Sequence, residues 1–259
     1  MNTQLHYTSS GEGLPFVFQH GLGANKEQAQ GLLAGLKGVK LISMDCPGHG
    51  LSPLQATKPP SFKNYAGEVI RMLDELDIDS AILGGISMGA GISTHLALHY
   101  PDRVKGLVLV RPAWLDTPRP DNLEILLEVA DFLEQEDSLE RFIKYPSYRA
   151  MLEELPLAAA SVLGMFSRQQ PGDTPKVLRG LVKDAPIDSL IELESIAKPC
   201  LLVVNHDDPL HPHAFGYIFQ QYIEGSKVQE VTSRYVDDGL HGREVRKIVS
   251  GFLADNFTL

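Results

Sequence analysis

A serine between two glycines is the first residue of this sequence whose setting predicts reactivity. Ser87 lies between Gly85 and Gly89, directly after the apolar residues 81–83 and before a helix-forming segment. A turn tight enough to push the serine side chain outward would bring neighbouring Cβ atoms into collision, so glycine is expected on both sides. A serine at such a strand-to-helix turn is a candidate nucleophile, and the N–H group of Met88 is a candidate donor to an oxyanion.

His241 is the predicted general base for this serine. A serine hydroxyl is a weak nucleophile at neutral pH and needs a histidine to accept its proton and a carboxylate to hold that histidine. His241 is the only histidine after His213, and glycines lie close to it on both sides. It follows a strand expected at 228–232, so we predict that it lies in a loop at a strand end.

Two adjacent aspartates compete for the role of the carboxylate. Asp207 and Asp208 follow the apolar strand expected at 201–205. Asp208 is favoured because it directly precedes Pro209, and Asp207 then serves as a turn residue. Asp116, which follows the preceding strand, stays open as a third candidate because an acid there would also reach the base.

The loop 20–24 is the predicted partner of Met88 in stabilising an oxyanion. Its glycines let the backbone approach a ligand closely, and one N–H donor to the anion contributes about 3 kcal/mol. Leu22 is the predicted second donor. His20, at the start of the loop, is expected to pin the loop in place and not to serve as a second base.

Two residues after the strand expected at 104–110 are candidates for substrate binding. Arg111 lies at the carboxyl end of that strand, the edge where ligands bind in open parallel sheets. Its guanidinium would pair either with a substrate carboxylate or with an acidic residue of the segment that follows. Trp114, the only tryptophan, would form an apolar wall.

Short apolar runs that alternate with helical patterns predict the elements that position these residues. The alternation is typical of an α/β fold, a mostly parallel sheet with helices on both faces. Between 112 and 197 it stops, and apolar residues recur at helical spacing. We therefore predict a core formed by 1–111 and 198–259 and a helical cap at 112–197. The strands before β-strand 228–232 are predicted at 15–19, 39–44, 80–83, 104–110 and 201–205.

Composition and charge limit the classes of partner. The chain has 259 residues, and 23 Lys and Arg against 33 Asp and Glu give a net charge of −10. That charge is a poor match for nucleic acid or anionic lipid, and no segment has the roughly 20 consecutive apolar residues of a membrane helix. Two cysteines, Cys46 and Cys200, are too few for a disulfide framework. We expect a cytoplasmic monomer or homodimer that acts on a small molecule.

Together these motifs resemble those of capped α/β-hydrolases of the esterase, iminopeptidase and carbon–carbon hydrolase type. The resemblance covers nearly the whole chain and includes the chain order Ser87, Asp208, His241. It implies a hydrolase of small carboxylic esters that forms an acyl-enzyme without a cofactor or a metal. Cleavage of a carbon–carbon bond, an amide or a thioester by the same residues stays open. The motifs are His20-Gly21-Leu22-Gly23, residues 45–52, Gly85-Ile86-Ser87-Met88-Gly89 and the segments around Asp208 and His241.

Two hypotheses from other functional classes remain. Some members of this fold are ligand receptors with slow or no turnover. A metal site is the other hypothesis, because one short segment concentrates metal-ligand residue types, although prolines stiffen it and its spacing matches no known site. The residues concerned are His206, Asp207, Asp208, His211 and His213.

Overall fold

The computed structural model describes residues 6–167 and 172–259. The strands are β1 (Tyr7–Ser10), β2 (Leu14–Gln19), β3 (Val39–Met44), β4 (Ala81–Ile86), β5 (Val104–Val110), β6 (Cys200–Val204) and β7 (Lys227–Glu230). The α-helices are α1 (Glu27–Leu33), α2 (Phe62–Glu75), α3 (Met88–His99), α4 (Glu124–Leu133), α5 (Ser138–Phe142), α6 (Pro146–Glu154), α7 (Pro156–Leu163), α8 (Thr174–Val182), α9 (Ala214–Tyr222) and α10 (Asp238–Asn256). Within these described ranges, no helix combines the length and the apolar character needed to cross a membrane.

The strands form one seven-stranded sheet in the order β1-β3-β2-β4-β5-β6-β7. Every neighbouring pair is parallel except β1 and β3, which pair antiparallel at one edge. The predicted fold class, a mostly parallel sheet with helices on both faces, is confirmed. Because β2, β4, β5 and β6 are parallel neighbours, the segments that follow them meet at one edge of the sheet.

The helices cover two faces of the sheet because successive side chains of a strand point to opposite sides. In β4, Leu83 belongs to the hydrophobic cluster formed with α2 and α3, whereas Ile82 belongs to the cluster formed with α1 and α10. β2 follows the same alternation, with Val17 in the first cluster and Phe16 and Phe18 in the second. Both faces are therefore apolar, as a parallel sheet requires.

The segment between β5 and β6 is helical where the structure describes it. It contains α4 to α8, and its apolar side chains continue the cluster on the α2 and α3 face. Trp114 is fully buried, and its ring meets that of Phe62 edge to face with centroids 5.3 Å apart. Asp173 accepts the N–H of Leu54 at 3.0 Å, and Asp184 accepts that of Phe62 at 2.7 Å. The division into core and cap stays a prediction.

The predicted strands agree with the structure best in the interior of the sheet. β3 and β5 begin and end at the predicted residues, and β4 continues beyond the predicted end to Ile86. β1 has no counterpart among the predicted strands. Its residues Tyr7–Ser10 are mostly exposed and mostly polar, so they lack the apolar run that marks an inner strand.

Candidate active site

Ser87 lies at the turn between β4, which ends at Ile86, and α3, which begins at Met88. Its φ of +56° lies in the left-handed region, which is uncommon for residues other than glycine. The backbone holds the turn, because the N–H of Ser87 donates to the carbonyl of Val110 at 3.0 Å. Strain of this kind persists only where the surrounding structure imposes it, and it is concentrated at functional sites.

The glycines on either side of Ser87 are required by close backbone contacts. A Cβ atom on Gly85 would lie 2.5 Å from the carbonyl carbon of Gly89. One on Gly89 would lie 2.3 Å from the carbonyl oxygen of Gln19. Both distances are far inside van der Waals contact, so α3 approaches the sheet too closely for any side chain at these positions.

The loop 20–24 lies beside Ser87. A Cβ atom on Gly21 would lie 3.6 Å from the Cβ of Ser87, and Gln28 holds the loop by accepting the N–H of Gly21 at 2.8 Å. His20 pins the loop, because its Nδ1 donates to the Gly21 carbonyl at 2.9 Å and its Nε2 accepts the N–H of Cys46 at 3.1 Å. Both ring nitrogens of His20 therefore bind backbone, which suits a structural role.

Asp208 is buried and binds Arg111 and His211. Its Oδ2 lies 3.2 Å from Nη1 of Arg111, and its Oδ1 accepts a hydrogen bond from Nδ1 of His211 at 2.8 Å. Burial alone would raise the pKa of Asp208, but the charge and hydrogen bonds of His211 and Arg111 lower it to about 2. Asp208 is consequently a carboxylate at neutral pH.

The other two candidate acids make different contacts. Asp207 is exposed, and its φ of +53° is that of a turn residue. Asp116 accepts the N–H of Leu190 at 3.2 Å. In the described part of the chain, neither carboxylate binds His241 or lines the cavity at Ser87. Asp208 is the only one of the three candidates that is buried at the carboxyl edge of the sheet.

The structure places His241 in the first turn of α10, so the predicted loop position is wrong. Asp237 begins this helix by accepting the N–H of Leu240 at 2.8 Å. The ring of His241 is buried, and its Nδ1 donates to the carbonyl of Thr232 at 2.8 Å, which leaves Nε2 free to accept a proton. Burial lowers the pKa of His241 below its ordinary value, and the charge of Arg111 lowers it further. The ring is therefore neutral at pH 7.

A cavity of about 150 Å³ opens at Ser87. Sites for drug-sized ligands usually measure about 300–1,000 Å³, so this cavity suits a small group. Leu22, Arg111 and Trp114 line it together with Ser87. Four residues that the sequence singles out thus meet at one place.

His241 lines a neighbouring cavity, and Arg111 lines both. Asp208 and His241 form no hydrogen bond with each other in the ranges that the structure describes, so the predicted acid and base are not joined here. His211, which lines the Ser87 cavity, holds Asp208 instead. One histidine, held by a carboxylate, therefore lines the Ser87 cavity, and the other, held by a backbone carbonyl, lines the cavity beside it.

Arg111 is one of four described residues that line both cavities, together with Gln28, Ile86 and Arg234. It is 4% exposed, and its φ of +49° is strained like that of Ser87. Its protein partner is Asp208 and not an acid of the helical segment, which corrects the second alternative for this guanidinium. Its Nε has no hydrogen-bond partner among the described residues, although it is buried. An orphaned buried donor of this kind favours a ligand contact.

Sequence analysis assigned His211 only to a metal hypothesis and did not single out Arg234 or Tyr235. All three line the Ser87 cavity. The signal that would have found them is position: His211 follows β6, and the other two follow β7, so all come from the edge where parallel strands present ligand-binding loops.

The two cysteines take no part in this site. Both are buried, and burial raises the pKa of each thiol, to about 12 for Cys200. A nucleophilic cysteine requires the thiolate, so these thiols are unreactive at neutral pH.

The residues grouped by the metal hypothesis separate in space. Asp208 and His211 bind each other at the buried site. His206 and His213 lie on the surface, where they meet Glu230 at the end of β7. We call these last three residues the surface His–Glu cluster.

Comparison with known proteins decides the family. The model of the alpha/beta hydrolase fold family matches residues 15–233, which include the turn of Ser87 and the segment of Asp208. The chain belongs to the alpha/beta hydrolase fold family. The resemblance inferred from the motifs is thereby confirmed, and the protein is a hydrolase.

Individual alpha/beta hydrolases show how broad the neighbourhood is. The chain is 31% identical over 226 residues to the pimeloyl-[acyl-carrier protein] methyl ester esterase of Vibrio vulnificus, a match that covers 82% of this chain and 83% of the esterase. It is 33% identical over 130 residues to a 2-hydroxymuconate semialdehyde hydrolase of Pseudomonas sp., which covers 48% and 44%. The enol-lactonase of Burkholderia xenovorans has the same fold, with a TM-score of 0.76, 24% identity and 97% of each chain covered. Proteins named as an esterase and as a semialdehyde hydrolase are thus similar to this chain in sequence, and an enol-lactonase shares its fold.

Proposed function

We propose that this alpha/beta hydrolase cleaves small carboxylic esters through an acyl-enzyme on Ser87. The observation that carries the proposal is the strained turn that places Ser87 at the mouth of a cavity and at the start of α3. The N-terminus of a helix offers unpaired N–H groups and a partial positive charge to a developing anion. The similarity to a methyl ester esterase over most of both chains supports an ester as substrate.

In the proposed reaction, Ser87 attacks the ester carbonyl while His241 accepts the hydroxyl proton at Nε2. The N–H groups of Leu22 and Met88 stabilise the oxyanion. His241 then protonates the departing alcohol, and the same ring activates the water that releases the acid. Asp208 stabilises the cationic histidine electrostatically, and the Thr232 carbonyl fixes its tautomer.

His211 is the second candidate for the base. The observation in its favour is its 2.8 Å hydrogen bond to Asp208, because an aspartate on Nδ1 is the arrangement that a catalytic histidine needs. His241→Gln and His211→Gln separate the candidates. Loss of the base should reduce kcat by about 10³-fold or more, whereas the other variant should change chiefly KM.

The cavity favours an ester that carries a second, anionic group. Arg111 and Arg234 line it, and its described lining contains no aspartate or glutamate, although the protein has a net charge of −10. Among the described residues, the carboxylate that pairs with Arg234 is that of the exposed Asp238, at 3.5 Å. A substrate carboxylate would satisfy the buried Nε of Arg111 and pair with Arg234.

A matched pair of substrates tests the charge preference. Methyl hydrogen succinate and methyl butyrate differ mainly in the carboxylate, and we expect kcat/KM to favour the former by about tenfold, or 1.4 kcal/mol. Arg234→Gln should abolish the preference. Arg243→Gln, which alters an arginine outside the described lining, should keep it. Equal rates for both esters in the native protein would contradict the charge preference but not the proposed ester hydrolysis.

The nucleophile itself is tested by labelling with a fluorophosphonate. We expect one adduct, on Ser87, and a loss of roughly 10⁴–10⁶-fold in ester hydrolysis for Ser87→Ala. An adduct at another residue, or undiminished turnover in Ser87→Ala, would contradict the proposal. Stoichiometric product release without further turnover would favour a slow receptor.

Carbon–carbon bond hydrolysis at the same serine is the second candidate function. It is supported by the partial match to the 2-hydroxymuconate semialdehyde hydrolase. A substrate panel that includes a vinylogous diketone beside short esters, amides and thioesters would rank these reactions by kcat/KM.

A further inference from the structure

The surface His–Glu cluster is a set of metal-ligand side chains away from the proposed nucleophile. His206 follows β6, His213 directly precedes α9, and Glu230 ends β7, so three separate elements contribute one side chain each. One ligand atom from each side chain lies within 4.8 Å of the other two. Among the described residues, no other group of three His, Cys, Asp or Glu meets that distance.

The distances fit a small divalent ion. Nε2 of His206 lies 3.7 Å from Oε2 of Glu230, and Nε2 of His213 lies 3.4 Å from Oε1 of the same carboxylate. Zinc bonds to nitrogen and oxygen measure about 2.0–2.2 Å, so two ligands at a tetrahedral angle stand about 3.4 Å apart. One ligand atom from each residue lies within 4.8 Å of the other two, so side-chain rotations would bring the three atoms to that spacing.

The cluster also has the surroundings of a metal site. The hydroxyl of Tyr217 donates to Oε1 of Glu230 at 2.5 Å and so orients that carboxylate. The rings of His206 and His213 stack with centroids 3.9 Å apart, and the Nε2 atom of each lies within 4 Å of the Glu230 carboxylate. A hydrogen bond that orients a ligating carboxylate is typical of the outer shell of metal sites.

We propose that His206, His213 and Glu230 bind one divalent transition-metal ion of the zinc type. Two imidazoles and a carboxylate are ligands that Zn²⁺ accepts readily, and water would complete a tetrahedron. The site is independent of the proposed function, since none of its residues lines the Ser87 cavity.

Bound metal would join the segment that carries the proposed acid to the segment that binds the proposed base. His206 lies two residues before Asp208, and Glu230 lies two residues before Thr232, whose carbonyl holds His241. A single ion would therefore fasten the segment after β6 to the end of β7. We expect Zn²⁺ to slow amide hydrogen exchange in residues 205–213.

Calorimetric titration of untagged, chelator-treated protein with zinc chloride tests the site. We expect one ion per chain, a rise in Tm with zinc, and at least a tenfold weaker Kd in His206→Gln and in Glu230→Gln. Tyr217→Phe should weaken binding by about tenfold, because it removes only the outer hydrogen bond. Ser87→Ala should bind zinc like the native chain, which separates this test from that of the hydrolase.

A second stacked histidine pair provides the control. His95 and His99 lie one turn apart on α3, with ring centroids 4.0 Å apart. His99→Gln should leave the zinc affinity unchanged. Loss of binding in His99→Gln, equal affinity in the native chain and in His206→Gln, or no saturable binding by the native chain would each overturn the proposal. Circular dichroism without metal verifies that the variants fold.

Discussion

The turn of Ser87 and the region of Asp208 and His241 are built in different ways. At Ser87 the backbone fixes the conformation of the turn, because the serine has a positive φ and the flanking glycines lie in close backbone contact. In the region of Asp208 and His241, the geometry depends on which hydrogen-bond partners the side chains bind. Asp208 binds Arg111 and His211, while His241 binds a backbone carbonyl. Geometry that the backbone imposes is readable from local sequence, whereas geometry that side chains select depends on distant residues.

The strongest test of the acid and base region is Asp208→Asn beside Asp207→Asn. Asp208 is the buried carboxylate of the two and pairs with Arg111. Its replacement by asparagine should reduce kcat by about 10⁴-fold, as for other triad acids. Asp207 is exposed at a turn, so its variant should remain within a few-fold of the native rate. Steady-state ester hydrolysis measures both. A larger loss in Asp207→Asn than in Asp208→Asn would show that Asp207, and not Asp208, is the acid.

The turn of Ser87 should respond to a single methyl group. Gly89→Ala places a Cβ atom 2.3 Å from the carbonyl oxygen of Gln19, so we expect a destabilisation of about 3 kcal/mol, the upper end for overpacking. Gly31→Ala is the control, since its Cβ would meet nothing within 4 Å on α1, and it should stabilise by about 0.5–1 kcal/mol. Urea unfolding measures both. Equal stabilities would show that the turn is less rigid than the contacts indicate.

The pH profile tests whether His241 is the base. A base acts when neutral, and the lowered pKa of His241 keeps the ring neutral at more acidic pH than an ordinary histidine, so the acidic limb of kcat/KM should lie below the usual histidine range. Arg111→Gln removes a positive charge that helps to lower this pKa, so the limb should move upward. An unchanged limb in Arg111→Gln would exclude His241 as the group that titrates.

Sequence alone predicted the fold well where residues are buried on both sides. β3 and β5 were bounded to the residue because Val, Leu and Ile runs end abruptly at polar or turn residues. β1 was not predicted from the sequence, because an edge strand needs few apolar side chains. The start of α10 was not predicted because Asp237 and the residues after it have the composition of a loop, and the bond from the Leu240 N–H to the Asp237 carboxylate that caps the helix is visible only in the structure.

The residues of the candidate site were predictable from the sequence, but the hydrogen bonds that join them were not. The turn of Ser87 follows from glycine spacing, and position after strands points to Asp208 and His241. The histidine partner of Asp208 was not predictable, because His211 and His241 both follow strands that end at the same edge of the sheet as Asp208. In the structure Asp208 binds Arg111 through Oδ2 and His211 through Oδ1, and neither contact is visible along the chain.

The hydrogen bond between Asp184 and Phe62 limits how freely this protein could exchange parts with its relatives. Phe62 is the first residue of α2, and its N–H is satisfied by a carboxylate that arrives from the segment between β5 and β6. A chimaera that received a foreign segment there would lose a charge at the start of a core helix. The segment that shapes the cavity and the layer that supports the sheet must therefore diversify together, and a graft should carry Asp184 with it.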